Sequence, residues 1–153
     1  EAVVDFNNRR YKSCAMILYS LIDARTIRLQ GKPKDNPLTD AKNKRKRFRK
    51  SGSAASNMIK KKYGQIHEKD MHAMFFSYLA REGLFYALDV FYKGGDDFKE
   101  QPDIMNRNFV DHGMLHRKVR RIDCIQLFLV YYNFLTFEEQ LTARDRKELK
   151  KIE

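Results

Sequence analysis

The sequence has no tryptophan and only two cysteines among its 153 residues. Two cysteines are too few for the disulfide framework on which small secreted domains depend, and their spacing matches no metal site. Cys14 and Cys124 each lie inside an apolar run. We therefore expect both to be small buried thiols in a protein of a reducing compartment.

Long apolar runs are also missing. The most apolar segment, residues 122–137, is shorter than the roughly 20 residues that a membrane-spanning helix needs, and it contains polar side chains such as Asp123. No signal peptide is recognisable, although the chain opens on Glu1 rather than Met, as a piece of a longer protein would. We expect a cytoplasmic protein, in which a fused or associated regulatory domain can accompany this chain.

Negative charge is scarce in this sequence. Against 20 Asp and Glu stand 31 Lys and Arg, which gives a formal net charge of +11 and a pI near 9.7. Such a surface attracts polyanions, and 11 Phe and 8 Tyr offer rings on which bases can stack. Because 42% of the residues are hydrophobic, we expect one domain over residues 1–153. The positive charge makes nucleic acid, rather than an anionic membrane surface, its expected partner.

Apolar residues recur at intervals of three and four, which predicts helices. The predicted helices cover residues 9–29, 53–64, 70–92 and 122–137, and no segment alternates as a strand does. The third is apolar on nearly all sides, ends at Gly94 and Gly95, and is expected in the middle of the bundle. Residues 138–153 either extend the last helix or form a separate one. The predicted fold class is all-α, a bundle of four or five helices.

A long basic loop is predicted between the first and second helices. Residues 31–53 show little periodicity and a dense block of Lys and Arg. Loops of this length are uncommon in small domains unless they are disordered or functional, so we predict a mobile insertion that faces substrate. Its expected RNA contacts are Arg45, Arg47, Phe48 and Arg49. A nuclear localisation patch has the same composition and is the alternative.

The stretch MNRNFVDHGM, residues 105–114, has a structural and a functional interpretation. In the structural one, Arg107 and Asp111 form a surface ion pair, His112 is a helix-terminal cation and Gly113 ends the helix. In the functional one, the cation and the imidazole belong to a reaction centre. Without knowledge of families, the structural interpretation is favoured, because short patterns match by chance.

Arg107, followed at once by Asn108 and four residues later by His112, resembles the R-x4-H signature of the HEPN superfamily. The signature precedes the last core helix, and the order of the predicted helices over residues 5–137 is similar to that family. The resemblance implies a metal-independent endoribonuclease without a cofactor, active as a homodimer through the motif-bearing face, in host defence or a toxin system. Met114 stands where related toxins carry a modified Tyr, so silencing by that modification is not expected.

The three side chains suit RNA cleavage. RNA supplies its own nucleophile, the 2′-OH, so the protein supplies proton transfer and charge stabilisation and leaves a 2′,3′-cyclic phosphate and a 5′-OH. We expect His112 as general acid or base, Arg107 on the phosphoryl oxygens, and Asn108 orienting either group. On a regular helix Arg107 and His112 lie about 140° apart, so a site shared across a dimer, or a helix distorted near Gly113, is part of this hypothesis.

More cationic residues follow the motif. His116, Arg117, Arg120 and Arg121 are expected to extend a phosphate-binding strip, with a solvated turn and helix start as the alternative. No metal site is expected, because His67 and His72 are five residues apart without a nearby Cys.

The competing function is a non-catalytic HEPN-fold module for RNA binding or regulatory dimerisation, in which the motif is structural. The two functions differ in one structural expectation. An enzyme needs Arg107 and His112 at a shared solvent cleft, whereas a module can bury them in ordinary packing.

Overall fold

A computed structural model describes residues 1–30, 50–64, 75–93, 103–104, 106–111 and 117–149, without the side chains of residues 77, 111 and 142–149. Within these ranges there are six helices and no strand, which confirms the all-α prediction. The helices are α1 (Ala2–Asn7), α2 (Tyr11–Leu29), α3 (Gly52–Tyr63), α4 (Phe75–Tyr92), α5 (Arg107–Asp111) and α6 (Arg121–Leu149).

The helix boundaries agree closely with the predicted ones where they can be compared. Helix α4 ends at Tyr92, and α6 continues to Leu149, so the residues after 137 extend the last helix instead of forming a separate one. The six-residue helix α1 was not predicted. Of the predicted basic loop, residues 31–49 lie outside the described residues, including Arg45, Arg47, Phe48 and Arg49, while residues 52 and 53 belong to α3.

Helix α2 is the centre of the fold and packs against α1, α3 and α6. Its side chains at intervals of three and four form one apolar stripe, as predicted from the sequence, and the buried members are Cys14, Ala15, Leu18, Ile22 and Leu29. Leu21, although apolar, is 37% exposed, because the buried face of the helix passes through its neighbour Ile22. The stripe joins side chains of α4 and α6 in one core.

Helix α4 is buried on one side only, which corrects the expectation that it lies in the middle of the bundle. Leu84, Leu88 and Phe91 are buried against α3 and α6. Phe76 and Tyr86 are 84% and 72% exposed. The sequence shows that these residues are apolar, but the number of neighbouring helices decides how many faces they bury.

The two cysteines are buried free thiols, as predicted from their apolar surroundings. The Cys124 thiol donates to the backbone carbonyl of Tyr11 at 3.3 Å, across the contact between α6 and the start of α2. Burial raises the pKa of Cys124 to about 12, so the thiol stays protonated near neutral pH. In the described part of the chain, no helix has both the length and the apolarity to cross a membrane.

A buried carboxylate fixes the start of α6. Asp123 is 1% exposed and accepts the backbone N–H of Arg120 at 2.7 Å, as the third residue of a helix does in a capping box. Arg117 donates both terminal nitrogens to the same carboxylate, at 2.7 and 2.9 Å. Burial acts to raise the pKa of Asp123, but the hydrogen bonds from Arg117 and Arg120 outweigh it and hold this pKa below its usual value.

Replacing Asp123 with Asn is expected to lower the free energy of unfolding by about 1–3 kcal/mol near pH 7, because a buried charge-assisted pair is lost. A carboxyl whose pKa is depressed by folding stabilises above its unfolded pKa, near 3.9, and loses that contribution as pH falls through the folded pKa. The difference between wild type and Asp123→Asn should therefore shrink below about pH 4. Urea unfolding from pH 7 to pH 3 measures it.

The matched control is Asp89→Asn, since Asp89 is 53% exposed and pairs with Lys60 on the surface. Exposed pairs contribute about 0–1 kcal/mol, so this variant should unfold close to wild type at every pH. A loss at Asp123 no larger than at Asp89 would mean that the capping carboxylate does not stabilise α6.

Candidate functional site

The motif helix α5 has only five residues, too few to be stable alone, so its position depends on what holds it. Asn106, which is 2% exposed, caps it by accepting the backbone N–H of Asn108 at 2.9 Å. The same side chain donates to the backbone carbonyls of Val90 and Lys93, at 3.1 and 2.8 Å. One amide thus ends α4 and begins α5. The aromatic ring of Phe109, 1% exposed, anchors α5 from its buried side.

Asn108 adds a second link between the two helices. Its amide nitrogen donates to the carbonyls of Tyr92 and Lys93, at 3.3 and 3.4 Å. Carbonyls at a helix C-terminus have no hydrogen-bond donor within the helix, so the Asn108 amide provides one for the last carbonyls of α4. The contacts give Asn108 a structural task. Its expected role in orienting His112 or a phosphate stays a prediction, because His112 lies outside the described residues.

Arg107 forms an ion pair with Asp23, in the second half of α2. The guanidinium Nε and Nη2 lie 3.1 and 3.0 Å from the same carboxylate oxygen, Oδ2. Both side chains are part-buried, with 25% of Arg107 and 21% of Asp23 exposed. The ion pair therefore fixes the direction of the guanidinium while leaving a quarter of the side chain at the surface.

A tyrosine holds the other oxygen of this carboxylate. The hydroxyl of Tyr92, at the end of α4, donates to Asp23 Oδ1 at 2.5 Å and lies 3.2 Å from Thr26 Oγ1. Burial, together with the hydrogen bond to Asp23, raises the pKa of Tyr92, so the phenol stays protonated and remains a donor. The Asp23 cluster, defined as Asp23, Thr26, Tyr92 and Arg107, therefore joins α2, α4 and α5.

The Asp23 cluster was not predicted from the sequence. Asp23 stands next to Ile22 of the buried stripe, and this position at the edge of the apolar face was the only signal available. A carboxylate there lies close enough to the core to be paired, yet its partner Arg107 is 84 residues away in the chain. Sequence spacing predicts contacts within one helix and gives no access to such a distant pair.

Chemically, the cluster can present a preorganised cation to an anion. A guanidinium has five N–H donors, and two of its nitrogens are directed at one oxygen of Asp23. Such anchoring reduces the rotamer entropy that an arginine loses when it binds a phosphoryl group. Among the described side chains, His, Cys, Asp and Glu form no group of three or more that could hold a metal ion.

The predicted phosphate-binding strip after the motif has a different arrangement. Arg117 and Arg120 both face Asp123, Arg117 through two hydrogen bonds and Arg120 at 3.7 Å, and this fits the helix-start alternative. The Arg121 guanidinium lies over the ring of Phe6, 5.6 Å from its centroid. His116, like His67 and His72, lies outside the described residues.

No protein-family model, curated protein or solved structure matches the chain. The resemblance to HEPN proteins therefore rests on the signature residues and the order of the helices.

Proposed function

We propose that this protein is a metal-independent endoribonuclease of the HEPN type, which cleaves RNA by attack of the 2′-OH on the adjacent phosphate. The observation that carries the proposal is the Arg107 side chain, which is a quarter exposed and whose guanidinium is oriented by Asp23. An arginine needed only for packing requires neither this orientation nor a carboxylate that is itself held by Tyr92. The proposed fold is a bundle of four to five core helices with residues 31–51 as its basic loop, since residues 52 and 53 belong to α3.

In the proposed reaction, Arg107 binds the phosphoryl oxygens and stabilises the negative charge that develops on them. His112 removes the 2′-OH proton or protonates the leaving 5′ oxygen, and Asn108 supports one of these groups. Cleavage leaves a 2′,3′-cyclic phosphate and a 5′-OH. Because the nucleophile belongs to the RNA, the reaction needs no cofactor.

A homodimer through the motif-bearing face is part of the proposal. Arg107 and His112 of one chain diverge by about 140° if the helix continues regularly, so the residues of two chains complete one site. Arg45, Arg47, Phe48, Arg49 and His116 are proposed to bind RNA around it. A cytoplasmic role in host defence or a toxin system follows from family analogy alone.

A second candidate is a non-catalytic RNA-binding or dimerisation module. The observation in its favour is that Arg107 and Asn108 both have partners within the chain, Asp23 for one and the carbonyls at the end of α4 for the other. In this case the signature holds α5 in place, and RNA binds without being cut.

RNA cleavage by the purified protein in EDTA separates the two candidates. Wild type is expected to cut RNA, and His112→Ala should reduce the rate about 10²–10⁴-fold, the usual contribution of a general acid or base. Arg107→Ala should reduce it about 10²–10³-fold, as loss of a charge-stabilising donor does. Denaturing gels of a labelled transcript measure these rates.

The matched control is Arg28→Ala, which removes an exposed arginine from the same helix as Asp23. It should cleave at nearly the wild-type rate, since only overall charge changes. An inactive wild type, or Arg107 and His112 variants as active as the Arg28 variant, would make the binding module the correct function.

Replacing Asp23 with Asn tests whether the carboxylate positions Arg107. We expect the cleavage rate to fall at least about tenfold, because the guanidinium loses its ionic anchor. RNA affinity should stay equal or rise, because a negative charge is removed near the bound phosphate. Saturation curves separate the two effects.

The control for this variant is Glu139→Gln, an exposed carboxylate of α6. A purely structural Asp23 would give a parallel loss of rate and affinity that follows the fraction of folded protein, and this pattern would contradict the positioning role.

A further inference from the structure

An arginine occupies a backbone position that normally belongs to glycine. Helix α1 ends in a Schellman motif, with the N–H of Arg10 bonded to Asp5 O at 2.8 Å and that of Arg9 to Phe6 O at 3.1 Å. Arg9 has φ 58°, in the left-handed region that residues with a Cβ rarely adopt. Glycine would satisfy this turn without strain, so the turn itself does not explain the arginine side chain.

Arg9 lines an open cleft of about 1070 Å³. The described residues that line it come from the junction of α1 with α2, from the segment that precedes α6, and from Val110 of α5. A cleft of this size accepts a ligand as large as a nucleotide.

The cations of the cleft fall into two groups. Arg10 pairs with Asp5 at 2.7 Å, and Arg117 pairs with Asp123, so both serve the fold. Arg9, Lys12 and Lys118 are exposed, and no carboxylate of the described residues lies within ion-pair distance of them. Three uncompensated charges around one concave surface raise the local concentration of anions.

The cleft also has an apolar part. Tyr11, Met16, Val110 and Val119 contribute to its lining. Tyr11 is part-buried, and its ring is in edge contact with Phe6 at 5.9 Å between centroids. An aromatic ring beside uncompensated cations is the arrangement by which proteins bind single-stranded nucleic acid, with bases stacked and phosphates paired.

The position of the cleft relative to Arg107 indicates the direction in which a bound strand would run. Met16 lines the cleft and Asp23 holds Arg107. These two residues are seven positions apart on α2, a distance of about 10 Å along the helix axis. On α5, Val110 lies close to one turn beyond Arg107. A strand that binds at the cleft can therefore continue along α2 to the motif arginine.

We propose that the cleft of Arg9, Lys12 and Lys118 binds the phosphate backbone of single-stranded RNA, with a base stacked on Tyr11. This inference rests on the proposed function, in which RNA is the substrate. The concave shape of the cleft favours a single RNA strand over an anionic membrane as its ligand, since a planar membrane surface contacts protruding side chains and not a recess.

Binding of an uncleavable oligonucleotide tests the cleft apart from catalysis. The probe is a fluorescein-labelled single-stranded RNA with 2′-O-methyl groups throughout, measured by anisotropy at several salt concentrations. The triple variant Arg9→Gly, Lys12→Ala, Lys118→Ala should bind at least about tenfold more weakly. The slope of log K against log salt concentration should be smaller in magnitude by about 2, because each lost phosphate contact of a single strand lowers that slope by about 0.7.

Arg9→Gly alone removes the side chain while giving the left-handed position the residue that suits it. Its melting temperature should equal or exceed that of wild type while its affinity falls, so a folding defect cannot explain the loss. The double variant Arg28→Ala, Lys61→Ala, which removes two exposed charges elsewhere, should keep most of the affinity.

The two proposals fail in distinguishable ways. Two results would overturn the cleft proposal even if the protein cleaves RNA. One is that wild type does not bind the probe. The other is that the triple variant and the double control variant lose the same binding free energy per removed charge. Cleft-dependent binding to vesicles with anionic lipid and not to the probe would overturn it too. Cleft-dependent binding of the probe without cleavage of ordinary RNA would uphold the cleft and overturn the nuclease.

Discussion

The position of the Arg107 guanidinium, and with it that of α5, depends on the Asp23 carboxylate. One of its oxygens receives the Tyr92 hydroxyl from α4, and the other receives the Arg107 guanidinium from α5. A five-residue helix has no stability of its own, so these bonds, together with the Asn106 cap, determine where α5 lies. Removing the carboxylate would deprive the part-buried Arg107 guanidinium of its ion pair with Asp23 and the Tyr92 hydroxyl of the nearer of two oxygens.

The cationic side chains fall into two groups, those paired with a carboxylate and those without one among the described residues. Arg10, Arg107 and Arg117 each face a carboxylate that is mostly buried, and their pairs fix helix ends and helix junctions. Arg9 and Lys118 have no such partner among the described residues and stand at the rim of a cleft. Net charge alone predicts attraction for polyanions, but only uncompensated cations on a concave surface give that attraction a location.

Most of the helices could be predicted from the sequence, because a periodic apolar stripe is a local property. The stripe of α2 and the end of α4 at Tyr92 were predicted closely. The exposure of individual side chains was harder to predict from the sequence. Phe76 is 84% exposed, because a helix that is apolar on all sides is buried only where it has neighbouring helices.

The candidate site was predicted only in part, for a related reason. The sequence marks Arg107 as a cation of interest but cannot show its pairing with Asp23, which is 84 residues away. It marks Arg117 as basic without showing that Asp123 binds it. The left-handed backbone of Arg9 also escapes sequence analysis, because the turn residue expected there is glycine.

The proposed reaction depends on the 2′-OH of RNA as its nucleophile. The decisive experiment incubates the protein, in EDTA, with an oligoribonucleotide and with the same oligonucleotide carrying a single 2′-deoxy residue at the mapped cleavage site. We expect that the first is cut to a 2′,3′-cyclic phosphate and a 5′-OH, and that the second is not cut at that site. Cleavage of the deoxy-substituted site, or products with a 5′-phosphate, would contradict it.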